Sequence, residues 1–147
     1  VAIARTKRMK IVNALVELLK QINGIDPYVS NLYNNVQGRL IWWDQVNDFP
    51  FVCVTAADEV REYLPSDFKW GFLGITIRIY VQQEEAMLAL EDILADIEHV
   101  IDTNFQFEYE PGKYVTDTRI TSISTDEGVM DPMGIGEISL QCRYEPG

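Results

Sequence analysis

The feature that most constrains this fold is a change of hydrophobic period in the middle of the chain. From Phe72 to Gln83 the residues alternate. Ile75, Ile77, Ile79 and Val81 face one way, and Thr76, Arg78, Tyr80 and Gln82 face the other. Period two is the mark of a strand with one face on a core. Directly after it, from about Glu84 to Asp102, the period becomes helical. Met87, Leu90, Ile93, Leu94, Ile97, Val100 and Ile101 form an apolar stripe there. Glu84, Glu85, Glu91, Asp92, Asp96 and Glu98 are expected on the wet side, with the first two suiting the positive end of the helix dipole. A strand feeding a long amphipathic helix calls for a sheet with that helix laid on it.

The flanking segments complete the plan. Ile11, Val12, Leu15, Leu18, Leu19 and Ile22 predict an amphipathic helix from about Arg5 to Asn23, stopped by Gly24 and followed by Pro27. Phe51 to Thr55 is a short apolar strand. Thr103 to Lys113 is expected to be irregular. Thr118 to Ser124 is a strand in which Ile120 and Ile123 break simple alternation, which predicts a bulge. Ile135 to Tyr144 is the last strand, with Ile138, Leu140, Cys142 and Tyr144 on one face. Thr125 to Gly134 joins these two as a long hairpin loop with Asp126, Gly128, Pro132 and Gly134. The expected fold is therefore α+β. It is one domain over residues 1–147, with an antiparallel or mixed sheet of about four to five strands. Two long helices pack on one face, and a β-hairpin closes the chain.

Composition narrows function. Lys+Arg is 12 and Asp+Glu is 23, a formal net charge of -11. Duplex binding relies on Lys and Arg neutralising phosphates, so this balance opposes tight DNA or RNA binding. It equally opposes an anionic membrane surface. Solubility explains the acidity as well as any partner does. No run of 18 apolar residues occurs, and no signal-like segment follows Val1. The expected setting is cytosolic or within a particle. Cys53 and Cys142 lie in strand-like segments and read as small buried hydrophobes.

Catalytic patterns are weak. The lone His99 lies about 200° around its helix from Ile97, toward solvent, and a catalytic base needs a partner and a pocket. Two cysteines and one histidine have no zinc spacing, and Asp126 to Asp131 lacks the alternation of a calcium loop. The pairs Glu84/Glu85, Glu91/Asp92 and Asp126/Glu127 are sequential, so they do not face each other across a cleft. No phosphate loop or nucleophile elbow is present, and no cofactor is expected.

Two aromatic groups stand outside the patterned elements. One is Trp42-Trp43, with Phe49 and Phe51 beyond. The other is Tyr63-Leu64-Pro65 with Phe68, Lys69 and Trp70. Core under loops explains them, and so does protein–protein contact, where aromatics are enriched. Val129, Met130 and Met133 are apolar where a hairpin tip is normally polar, which suggests a partner.

The chain resembles the tail terminator proteins of long-tailed bacteriophages, the tail-completion or minor tail protein U-like group. The resemblance spans most of the chain. It rests on the N-terminal helix ending Leu18-Leu19-Lys20-Gln21-Ile22, the strand Gly74 to Val81, the long helix after it and the closing hairpin. The most specific piece is Ile120 to Gly128, continuing through Pro132 and Gly134 to Glu137-Ile138-Ser139-Leu140-Gln141-Cys142-Arg143-Tyr144. The resemblance implies a hexameric ring on the completed tail tube. Its partners would be other copies of itself, the tail tube protein and a head-completion or connector protein. Genomic DNA would pass through the lumen without specific binding, and no membrane or catalysis would be involved. The acidity fits such a lumen, and a channel lined with Lys and Arg would contradict it. The family transfers no catalytic residues, so contact residues are assigned from side-chain chemistry. Trp42, Trp43, Phe68, Trp70, Arg78 and Arg143 are assigned to subunit contacts. Glu127, Val129, Met130 and Met133 are assigned to the tail tube. Three alternatives stay open: a head–tail connector of the same particle, a small enzyme with an acidic site near His99 or Asp126, and a generic adaptor domain.

Overall fold

A computed structural model describes residues 6–146. The first helix, α1, spans Lys7–Leu19. Thr6 caps it by accepting a hydrogen bond from the Met9 N–H at 3.2 Å. Arg5, expected to open the helix, lies outside the described residues. The helix also ends earlier than Asn23. Its last turn tightens, with the Ile22 N–H reaching Leu19 O at 3.2 Å. Ile22 stays fully buried even so, which is why the helical spacing ran on through it.

Five strands form one mixed sheet in the order β1-β2-β3-β7-β6. They are β1 (Val36–Gln37), β2 (Phe51–Tyr63), β3 (Lys69–Gln82), β6 (Asp117–Thr125) and β7 (Met133–Tyr144). Only β1 on β2 is parallel. Between Ile120 and Ser122 the β6–β7 register shifts, which is the expected bulge. The second helix, α2, spans Ala86–Thr103. Two short strands, β4 (Glu108–Glu110) and β5 (Lys113–Tyr114), form a hairpin in the stretch expected to be irregular. Pro111-Gly112 makes its turn, with Gly112 at φ +76.

Both helices lie on one face of the sheet. The core joins Ile11, Leu15 and Leu19 of α1 to Leu90, Ile97 and Val100 of α2 over Ile75, Ile77, Ile79, Ile138 and Leu140. Two glycines let α2 sit low on β7. A Cβ on Gly136 would lie 2.9 Å from Leu90 Cδ1, and one on Gly134 would lie 2.7 Å from Val81 Cγ2. The opposite face is covered over only part of its length. Residues 38–50, with a short 3-10 turn at Trp43–Gln45, cross it and bury Val46, Cys53 and Tyr80. The Tyr80 hydroxyl donates to Ile41 O at 2.8 Å there. Cys53 and Cys142 are both buried and free. They belong to clusters on opposite faces of the sheet.

Candidate functional site

The sheet has two unlike ends. The first gathers the loops 24–35, 46–50, 83–86 and 126–132, which flank the start of β2, the end of β3 and the turn from β6 to β7. Those loops carry Asp26, Asp48, Glu84, Glu85, Asp126, Glu127 and Asp131, and neither lysine nor arginine. Apolar side chains stand out among the charges: Ile25, Val29, Tyr33, Leu88 and Val129, the last 82% exposed.

This acidic end is held by two carboxylates. Asp96 accepts from the Val29 N–H at 3.1 Å, the Ser30 N–H at 2.7 Å and the Ser30 hydroxyl. It is buried, contrary to its expected place on the wet side of α2. Its position between Ile93 and Val100, at i−3 and i+4, puts it inside the apolar stripe, and the loop 24–35 supplies the donors that make burial tolerable. Asp126 accepts from the Gly128 N–H at 3.4 Å and the Met130 N–H at 3.1 Å, closing the turn at the tip. Glu127 at φ 57 and Gly128 at φ 83 make the reversal. Glu127 and Val129 therefore project outward, and Met130 is half-buried. Met133 was expected in the exposed loop, but it is the first residue of β7 and is buried. It anchors the loop from below.

The other end is the β2–β3 hairpin. The strand expected at Phe51 to Thr55 continues to Tyr63, so the second aromatic group lies on strand ends and their turn. Phe68 meets Trp70 edge-on at 5.0 Å, and the Arg143 guanidinium lies 4.8 Å above Trp70. Tyr63, Leu64, Phe68 and Val60 are exposed. Glu59 braces the hairpin from the core side. Its side chain is 5% exposed and takes the Arg61 Nε–H at 2.5 Å, while the Tyr144 hydroxyl donates to Oε1 at 2.7 Å. Burial, then the hydrogen bond to Glu59, pushes the Tyr144 phenol up to about 12. Lys7, Arg8, Lys10, Lys69, Lys113, Arg119 and Arg143 also cluster toward this end, through α1, β4–β5 and the strand ends.

The aromatic groups assigned to subunit contacts are not brought together. Trp42 and Trp43 ride on the strap near Tyr80, 58% and 40% exposed. Trp70 lies ten residues away along β3, roughly 33 Å. Arg78 already has a partner in its own chain, Glu137 at 3.5 Å. Arg143 differs, because its Nε is buried without a hydrogen-bond partner. Neither acidic centre proposed for an enzyme is built as one. His99 is exposed and meets Tyr28 edge-on at 6.1 Å, and the Asp126 carboxylate is spent on its own turn. Among the described residues, no cluster of His, Cys, Asp or Glu is arranged to hold a metal. No described helix is long and apolar enough to cross a membrane. A cleft of about 330 Å³ between Val29, Tyr33, Pro50 and Ile93 contains neither His99 nor Asp126.

A family model described as "Bacteriophage Tail Tube Terminator Protein" matches residues 5–147. This chain belongs to that family. It is 38% identical over 151 residues to the tail tube terminator protein p142 of Escherichia phage T5, covering 95% of this chain and 94% of that protein. Its fold is also similar to a chain of the virion of a native gene transfer agent particle. There the TM-score is 0.57 at 10% identity, over 92% of this chain and 97% of the other. Membership bears out the resemblance read from the strand–helix unit and the closing hairpin.

Proposed function

We propose that this chain caps the completed tail tube of a phage as a homo-oligomeric ring, hexameric in number. The ring ends the addition of tube protein and leaves a surface for the head-completion or connector protein. It sits at the head-proximal end of the tail in the virion, after assembly in the host cytoplasm. The observation that carries this reading is the match to tail tube terminators over nearly the whole chain. No catalysis and no cofactor are part of it.

The two ends of the sheet support a division of labour. A cap has one side toward the tube and one toward the head, so its two axial surfaces must differ. The acidic end, with Glu127, Val129 and Met130 at its tip, is assigned to the tube. Exposed apolar side chains ringed by charge suit a contact that needs both affinity and register. Trp42, Trp43, Phe68, Trp70 and Arg143 are assigned to neighbouring copies, with Arg78 as a minor contributor because Glu137 already holds it. DNA would cross the lumen without specific binding, repelled by like charge.

The test is deletion during particle assembly. Overlong tails without heads are the expected result. Headless tails of normal length would assign the chain to the connector and overturn the terminator reading.

A further inference from the structure

Among the described residues, the sheet has two open edges. β6 has one neighbour, β7. On the far side, β1 covers only Val52 and Cys53 of β2, so the rest of β2 has β3 on one side and no described strand on the other. Open edges of this length are templates for pairing with another chain.

Three properties fit these edges to each other. The first is direction. β2, β3, β7 and β6 alternate antiparallel, so β2 and β6 run in opposite directions. Rotation about a ring axis along the strands leaves each direction unchanged, so the β6 of one copy meets the next copy's β2 antiparallel. The second is height. Val60 pairs with Phe72, Phe72 with Arg143, and Arg143 with Asp117. Residues near 60 and 117 therefore share one row, and a rotation without rise brings them together, as closure requires. The third is charge. Asp58 lines the open face of the sheet beside Gly74 and Gln141. Arg119 pairs with Gln141 and Gln141 with Gly74, so Arg119 sits on that face at the level of Asp58. Its side chain is 77% exposed, with one contact among the described residues, to Asp117 at 2.6 Å, which leaves guanidinium donors over.

We propose that neighbouring copies join edge to edge, β6 of one laid antiparallel on residues 54–60 of β2 of the next, with Arg119 facing Asp58. One sheet then continues around the ring. This rests on the ring proposed above. It also gives a role to the irregularities of both edges. β2 bulges between Ala56 and Glu59, and β6 between Ile120 and Ser122. Arg8 donates to Ala57 O at 2.7 Å, occupying part of the β2 edge. Such features hinder pairing between free copies, and a tube end that sets the copies side by side overcomes them.

The experiment uses the full chain on assembled tails. Asp58→Cys with Arg119→Cys in one chain, oxidised, is expected to give a covalent ladder rising to the size of the ring. Either single variant should give none, since Cys53 and Cys142 are buried and paired strands put facing Cβ atoms within about 5.5 Å. Arg119→Glu should lose termination and give overlong tails. Adding Asp58→Lys should restore normal length. Ring-shaped caps without a ladder, together with normal tails for Arg119→Glu, would overturn the edge joint and leave the ring standing. Cross-links from position 119 to the tube protein would overturn it in favour of a strand from that protein. Wild-type tails that end without any ring would remove the ring reading, and this joint with it.

Discussion

The acidic end and the hairpin end of this sheet are both built around a carboxylate, yet the two carboxylates do different work. Asp96 is uncharacteristic of its helix. It faces inward and gathers backbone N–H groups of a loop that has no regular structure of its own. Glu59 sits on a strand and gathers side chains, Arg61 and Tyr144, that tie a long hairpin to the end of β7. At the acidic end the carboxylate supplies the local order. At the hairpin end the backbone ladder does so, and the carboxylate only sets how the hairpin sits. The lesson is that a loop end depends on its buried polar group more than a strand end does.

That contrast can be broken by substitution. Asp96→Ala leaves three donors unpaired and should cost about 3–5 kcal/mol, read by urea unfolding, with faster amide exchange across residues 24–33. Exchange unchanged in that loop would refute its dependence on Asp96. Filling the glycine contact should cost somewhat less. Gly136→Ala forces Leu90 to move and should destabilise by about 1–3 kcal/mol. Tyr144→Phe removes one hydrogen bond to Glu59 and should cost about 1–2 kcal/mol, with exchange rising in the hairpin and not in residues 24–33.

The same tyrosine sets a pH dependence. Its folded pKa is raised to about 12 by burial and then by Glu59, while an unfolded tyrosine ionises near 10. The unfolded chain thus releases this proton first. The stability tied to the neutral phenol is complete below about pH 10 and is lost as pH climbs toward 12. Cys142, pushed up to about 11 by burial, adds a similar loss beginning near its ordinary pKa of about 8.5. Tyr144→Phe should flatten the upper part of the profile and leave the lower part unchanged. The smallest effect on folding belongs to the tip. Val129→Glu should change stability by less than about 0.5 kcal/mol and still reduce binding to purified tail tubes. Full binding would move the tube contact away from this end.

The sequence by itself determined the elements whose side chains face a core. Alternation from Ile75 to Val81 and the stripe from Met87 to Ile101 each record one buried face, so strand, helix and their order were legible. The bulge in β6 was legible too, because Ile120 and Ile123 fall out of step. Family membership rested on those same elements. The tertiary structure decided what local pattern cannot carry. Residues 57–63 alternate nothing apolar, because the one side chain they tuck inward, Glu59, is a carboxylate, and they are a strand only because β3 pairs with them. Asp96 looked solvated because its partners arrive from a loop more than 60 residues earlier. Met133 looked exposed because pairing with Gln82 extends β7 past the point where alternation becomes clear. The open edges, and the shared row that sets Asp58 level with Arg119, exist only once four strands have found their register. A residue's period reports which way it faces, whereas its neighbours across the sheet are fixed by contacts between distant parts of the chain.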